Sequence, residues 1–328
     1  MKILILGGTI FLGRHLVEIL LKQGHAITLF NRGKHNPDLF PELEKIHGDR
    51  DKDLERLNGM KFDAVIDTCG YFPRMTKISA DYFKDKVEHY TFISSISVYP
   101  DFTLPGIDEN SEIGRLEDET VEVIDGNTYG PLKALCEKSL ENEMPGRVLN
   151  IRPGLIVGPF DPSDRFTYWP FRFGRGGEIL VPDAKENLIQ FIDVRDLAGW
   201  IVNAIEKDIT GVFNLTGPAS PIPFLDFINE CRETINRKAM IIKVPEDFLL
   251  ENNIAPWSEI PLWIPKSKEE VSIEKALKTG LKFTPLKKTI QDTFNWNDKE
   301  RPEGFQYISG LKPEKEKEII EFWENRSK

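Results

Sequence analysis

A few apolar residues followed by a longer amphipathic stretch is the pattern that repeats through the first 160 positions of this chain. The apolar runs 2–6, 26–30, 64–67, 90–94 and 148–152 are nearly continuous rather than alternating, as strands are when both faces of their sheet are covered. The stretch 15–23 has helical spacing and stops at Gly24. Strands alternating with helices predict a doubly wound α/β fold with a parallel sheet.

Beyond residue 160 the pattern changes. Residues 160–186 are rich in Pro, Gly, Arg and aromatics and read as a loop and short-strand excursion, whereas 190–193 and 212–216 read as returning strands around a helix over 196–206. Residues 218–298 carry many prolines. The expected organisation is a sheet unit of residues 1–160 plus 187–217, a smaller C-terminal unit of 161–186 plus 218–298, and a helical tail, 299–328, amphipathic around Ile319, Ile320 and Trp323. There is no internal repeat.

Composition narrows the picture. At 328 residues the chain is long enough for a sheet covered on both faces. A net charge of −10 and a pI near 5.2 argue against nucleic acid and anionic membranes as partners. Cys69, Cys136 and Cys231 are too few and too widely spaced for a disulfide framework or a cysteine zinc site, so no metal is expected and a reducing cytoplasm is the default. The first apolar run is four residues long and none reaches 18, which reads as a soluble, untargeted chain. Residues 100–128 hold nine acidic side chains against one basic one, Arg115, and read either as a solvated loop or as a lid.

Three segments carry candidate chemistry. Gly7-Gly8-Thr9-Ile10-Phe11-Leu12-Gly13 lies between a strand and a helix N-terminus, where backbone N–H groups and the helix dipole receive a pyrophosphate. Ile10 stands where glycine is usual, so its Cβ must point away from the phosphates. The second strand ends in Asn31-Arg32-Gly33 rather than in an acid, which favours NADP(H) over NAD(H) because a guanidinium suits a 2′-phosphate. Asp49 reads as an adenine contact or a turn residue; Cys69 and Gly70, after the strand ending at Asp67, read as cofactor lining, with Cys69 also readable as a small buried apolar residue. Tyr129 and Lys133, one helical turn apart, form a proton-transfer pair in which the ammonium lowers the phenol pKa and holds a ribose hydroxyl. Ser95, at a strand end, is placed to bind the substrate oxygen. Arg165, Tyr168, Trp169, Arg172 and Arg175 are candidate substrate contacts suited to a nucleotide diphosphate, or else a surface excursion. Trp257 and Trp263 read as packing.

On these residues, and on Phe92-Ile93-Ser94-Ser95-Ile96-Ser97-Val98-Tyr99, Arg152-Pro153-Gly154 and Phe191-Ile192-Asp193-Val194-Arg195-Asp196, the chain resembles the extended short-chain dehydrogenase/reductases of the NAD-dependent epimerase/dehydratase superfamily. It is most similar to divergent, epimerase-like or isoflavone-reductase-like members with a Gly-Gly-Thr-x-Phe-Leu-Gly loop. The resemblance runs from Met1 to about Pro218. It implies a Rossmann domain over the sheet unit, a substrate domain in the smaller unit, and a triad of Ser95, Tyr129 and Lys133, with Ser95 preferred to Ser94 because it lies four residues before Tyr99. The acid pair that dehydratases of the superfamily carry after the catalytic Ser is replaced by Ile96 and Ser97. The implied activity is therefore hydride transfer at a secondary alcohol or ketone, as an epimerase or reductase, on a small molecule such as a nucleotide sugar or ketone. A homodimer is left open, as is a non-catalytic dinucleotide-binding regulator, sensor or RNA-binding protein on the same fold.

Overall fold

The structure, a computed structural model, describes residues 1–102, 106–268, 270–302 and 304–326. The sheet unit is built from β1 (Lys2–Leu6), α1 (Phe11–Lys22), β2 (Ala26–Asn31), β3 (Glu44–His47), β4 (Ala64–Asp67), α2 (Pro73–Phe83), β5 (His89–Ile93), α3 (Tyr129–Glu143) and β6 (Val148–Pro153). The chain continues through β7 (Leu155–Val157), α4 (Tyr168–Arg175), β8 (Glu178–Pro182), β9 (Leu188–Ile189), β10 (Phe191–Asp193), α5 (Val194–Glu206) and β11 (Gly211–Leu215). It ends with β12 (Ile222–Pro223), α6 (Phe224–Ile235), β13 (Met240–Val244), α7 (Glu246–Glu251), α8 (Glu274–Lys278), α9 (Leu286–Glu300) and α10 (Pro313–Arg326).

The strands form a seven-stranded sheet in the order β11-β6-β5-β4-β1-β2-β3, every neighbour parallel. The chain winds outward in both directions from β1, so the C-terminal ends of β1 and β4 border the crevice where the crossovers part. Burial explains why the strands were legible: residues 3–6 and the whole of β4, β5 and β6 are covered on both faces. The exception is β3, Glu-Lys-Ile-His, which the apolar pattern does not predict. It is an edge strand with one neighbour and needs only Ile46 to pack.

A second core lies beside the sheet, built on the fully buried Phe166, Trp169, Phe173, Phe224, Phe227 and Trp263. β8 pairs in parallel with β13 in it. The tail expected as a third unit closes this core: Ile319 and Ile320 of α10 are buried in it, and Glu316 accepts from the Arg172 guanidinium at 2.7 Å and from the Leu180 N–H at 3.1 Å. Ile273, Ala276 and Leu281 turn the other way and pack against the sheet's own core. Asp193 joins the two: it caps α5 through the Arg195 N–H, pairs with the Arg195 side chain at 2.6 Å, and accepts from Thr289 of α9 at 2.7 Å. Among the described residues no helix is long and apolar enough to cross a membrane.

The Arg172–Glu316 pair is 9% and 4% exposed, so each side chain is tolerable there only because the other is present. Glu316→Ala leaves a buried guanidinium unpaired and is expected to cost about 3–5 kcal/mol in urea unfolding. The double replacement Arg172→Met with Glu316→Leu recovers most of that loss.

Candidate functional site

The crevice at the sheet's switch point is a cleft of about 670 Å³ whose floor is the glycine loop. Gly7 (φ +107) and Gly8 (φ +95) occupy backbone conformations that side chains rarely adopt, and a Cβ on Gly13 would lie 2.7 Å from the Gly8 Cα. The loop and the start of α1 are thereby packed backbone to backbone. No side chain caps α1 and its first turn has no acid, which leaves N–H groups open to an anion. Ile10 is extended (φ −122) and 45% exposed at the cleft rim, while the strained position is the next one, Phe11, at φ +30. Open N–H groups, a close-packed glycine turn and the long cleft fit a dinucleotide.

At the adenosine end the structure adds a second role to two expected contacts. Asn31 is a fastener: its Nδ2 donates to Gly7 O (3.0 Å) and its Oδ1 accepts from Gly33 N (2.9 Å). Thr9 is another, with its hydroxyl on His35 O (2.9 Å) and its carbonyl accepting from Asn36 (2.7 Å). Two loops are thus tied together by side chains that also line the cleft, each with hydrogen-bonding capacity left over. Arg32, Lys34 and His35 remain as exposed cations or potential cations on the cleft rim, and Arg32 has no ion-pair partner among the described residues. Asp49 lines the cleft and accepts from Asp51 N (3.1 Å), a turn role that leaves its second oxygen available.

Sequence reasoning missed Arg50. Its guanidinium, 5% exposed, makes a two-pronged contact with Asp67 at 2.7 and 2.6 Å and reaches Cys69 Sγ at 3.0 Å. Tyr90 and the Cys69 N–H complete the shell of Asp67. Burial by itself would raise the Asp67 pKa, but the guanidinium outweighs it and holds the carboxyl below its ordinary value. The signal was an acid ending an otherwise apolar strand, a placement that demands a buried cation. Burial pushes the Cys69 thiol up, so it is inert lining. Gly70 faces away from the cleft: its carbonyl accepts from Lys133, and a Cβ would press on Phe92 and Thr76 at 2.8 Å.

Ser95, Tyr129 and Lys133 meet at the other end of the cleft. α3 begins at Tyr129 against the 3-10 turn Ile96–Val98, and Gly130 permits it, because a Cβ there would overlap the Ser97 carbonyl oxygen. Ser95 caps that turn, accepting from Ser97 N and donating to Ser97 Oγ, each at 3.0 Å. Lys133 is 3% exposed and donates to Gly70 O (2.8 Å) and Ile93 O (2.7 Å); burial lowers its pKa. The expected lowering of the phenol pKa is not what prevails at Tyr129. Burial raises Tyr129 above its ordinary value, and hydrogen bonding from Ser95 opposes that rise. Ser94 Oγ is buried in the cleft wall without a partner, and Tyr71, another residue unread in the sequence, puts its ring 5.1 Å from the Lys133 Nζ.

The five substrate candidates are not brought together at this cleft. Trp169 is fully buried with Nε1 on Pro261 O (2.8 Å), Tyr168 is 6% exposed, and Arg172 is held by Glu316; all three lie on the inward face of α4. A surface excursion cannot hide so much aromatic area, and the helix turned it into core. Arg175 is exposed and lines a second cleft together with Tyr168 and Arg172, and Arg165 lies over the Trp257 ring at 5.2 Å. Trp263 is fully buried. In the acidic segment, Glu122 and Asp51 both pair with Arg74 of α2, at 2.8 and 2.7 Å, beside the cleft; residues 103–105 of that segment lie outside the described residues.

The model of the NAD dependent epimerase/dehydratase family matches residues 3–216, so the chain belongs to that family. It is 29% identical over 241 residues to the Arabidopsis thaliana chloroplast stem-loop binding protein of 41 kDa b, a match covering 66% of this chain and 58% of that protein's length. It is 25% identical to the Homo sapiens sterol-4-alpha-carboxylate 3-dehydrogenase, decarboxylating, over 97% of this chain and 87% of the relative. Solved structures similar in fold include a UDP-glucose 4-epimerase (TM-score 0.70, 16% identity, 93% of this chain and 100% of that one). Another is the Bacillus cereus UDP-glucuronic acid 4-epimerase in complex with NAD (TM-score 0.67, 18% identity, 91% and 99%).

Gly130→Ala forces α3 away from the turn Ile96–Val98. We expect a stability loss of about 1–3 kcal/mol in denaturant unfolding, typical of an overpacked contact. Chain placement elsewhere should persist, so Ser139→Ala on the same helix, far from the turn, is the control that stays near the parent value.

Proposed function

We propose that this member of the family is a nicotinamide-dependent oxidoreductase that transfers hydride at a secondary alcohol or ketone and works in the direction of net carbonyl reduction. The observation that carries the reading is the convergence of Ser95, Tyr129 and Lys133 on the cleft that the glycine loop floors. A bound nicotinamide would supply the hydride donor or acceptor. The chain's own groups supply the rest. Tyr129, kept protonated by burial, gives its proton to the substrate oxygen as a general acid. Ser95 hydrogen-bonds that oxygen and the phenol. Lys133, rigidly anchored on two carbonyls, presents its remaining donor to a ribose hydroxyl. Ile96 and Ser97 offer no acid for dehydration. Net charge −10 weighs against the nucleic-acid binding named for one relative. Epimerisation stands as the second reading because solved structures similar in fold include nucleotide-sugar 4-epimerases.

The test is a carbonyl panel of nucleotide keto sugars, flavonoid-type ketones and small aldehydes with reduced cofactor. Stoichiometric loss of cofactor absorbance supports reduction, and epimer formation without cofactor loss supports the second reading. Tyr129→Phe is expected to abolish turnover in either case, with cofactor affinity within a few-fold of the parent. The raised phenol pKa also sets the pH dependence. Because the acid form is required for reduction, the reductive rate should stay level through neutral pH and fall only as the phenol ionises above its ordinary value of about 10. The reverse oxidation needs the phenolate and should climb across that same alkaline range.

Cofactor preference follows from the rim. Arg32, with Lys34 and His35 beside it, supports NADP(H) over NAD(H). One charge-assisted contact to a 2′-phosphate is worth about 1.5–3 kcal/mol, or roughly ten- to hundredfold in affinity. Fluorescence titration of NADPH and NADH should show that ratio, and Arg32→Ala should erase most of it. Equal binding of the two by the parent rejects Arg32 as the selector.

A further inference from the structure

Net carbonyl reduction consumes one proton per turnover, and the group that donates it must recover it from water. Tyr129 is half-buried on the wall of the cleft that cofactor and substrate would fill, and the neighbouring ammonium of Lys133 is fenced from solvent on Gly70 O and Ile93 O. A different route lies open. Ser95, 8% exposed and near enough for hydrogen bonding to pull the phenol pKa down, donates through its Oγ to Ser97 Oγ at 3.0 Å, and Ser97 is an exposed residue. The Ser97 N–H holds Ser95 Oγ from the other side at 3.0 Å, so the two hydroxyls are fixed in register by the backbone of a capped turn. Gly130 brings the start of α3 hard against that turn and so sets the tyrosine at the head of the row.

We propose that Ser97 is a proton-conducting residue that connects Tyr129 through Ser95 to solvent and reprotonates the tyrosine between turnovers. The proposal rests on the reading of Tyr129 as the acid of a net reduction. In that step the phenol O–H bond breaks as the substrate O–H bond forms, and the electron pair for the new C–H bond comes from the reduced nicotinamide. Both hydroxyls first turn from the resting direction, in which Ser95 donates to Ser97; the phenolate then takes the Ser95 proton, Ser95 takes the Ser97 proton, and Ser97 takes one from an acid in solvent. The hydroxyls end where they began, and one solvent proton has been consumed. An epimerase has no use for such an exit, because the proton removed from the substrate oxygen is returned to it.

Two measurements test this, one of them without cofactor or substrate. In the free protein, the titration of Tyr129 is isolated as the tyrosinate absorbance difference between the parent and Tyr129→Phe. The ionisable groups facing the phenol are Tyr71 after β4 and Lys133 and Cys136 on its own helix, and none of these is altered. Ser97→Ala should raise the Tyr129 midpoint by a few tenths of a pH unit: when the phenol ionises the row reverses, Ser95 donates to the phenolate and Ser97 donates to Ser95, and the variant lacks that second donor. Ser97→Thr should restore it. With NADPH and a carbonyl compound that the panel shows to be reduced, Ser97→Ala should leave the first turnover unchanged, slow the steady state several-fold and enlarge the solvent deuterium isotope effect. Ser97→Thr should again resemble the parent. A Ser97→Ala protein with the parent midpoint, steady state and isotope effect overturns the relay while the reductive reading survives. If the parent reduces no carbonyl, the reductive reading fails, and an unshifted midpoint then removes the hydroxyl chain as well.

Discussion

The site depends on one close approach, in which the first turn of α3 rests against the Ser97 carbonyl and only a residue without a Cβ can lie between them. Tyr129 precedes Gly130 and Lys133 follows one turn later, so a single contact sets the depth and rotation of both side chains. The turn that receives the helix is capped by Ser95. The three groups at the head of the cleft are thus positioned by backbone, and their geometry is insulated from side-chain rearrangement elsewhere.

Buried ion pairs extend that positioning outward. Arg152 of β6 grips Glu137 of α3 at 2.7 Å, two turns beyond Tyr129, and also bonds the Tyr99 hydroxyl, which in turn donates to Asn214 of β11. Arg50 and Asp67 do the same for the floor between β4 and the loop after β3. Arg172 and Glu316 fasten the C-terminal helix to the second core. Replacement of such a pair by apolar residues is often neutral for stability, so stability is a weak reason for their presence. Direction is a stronger one: a two-pronged guanidinium–carboxylate contact fixes the angle between two elements as an apolar contact does not.

What the sequence disclosed and what it hid follow the same physics. The interior strands were legible because burial on both faces demands unbroken apolar runs, and the glycine loop because positive φ leaves few alternatives. Edge strand β3 was illegible because one neighbour and one buried residue suffice for it. The arginines and aromatics at 165–175 looked like a binding surface because cation and ring are also the materials of a core when a distant acid completes them, and Glu316 lies 144 residues away. Arg50 was hidden for the same reason, its partner being 17 residues along the chain and in another element. The direction of the Tyr129 pKa was not legible because spacing shows that a lysine is one turn away but not how far the fold buries the phenol.

Charge along the cleft then acquires a direction. Arg50 is neutralised by Asp67, Arg74 by Asp51 and Glu122, and Lys133 is buried, so among the described residues the unpaired positive charge on the rim collects at Arg32 and Lys34. A dinucleotide carries its pyrophosphate midway along its length and, when phosphorylated on the adenosine ribose, a further charge at one end only. On the reading proposed above, the glycine loop with its open α1 N-terminus would answer the first charge and the exposed cations the second, which would give the ligand one electrostatically favoured orientation. That orientation would send the opposite end to Ser95, Tyr129 and Lys133, where burial raises the phenol pKa and two carbonyls hold an ammonium still. A protein this acidic can therefore draw in a polyanion at one place without attracting anions generally.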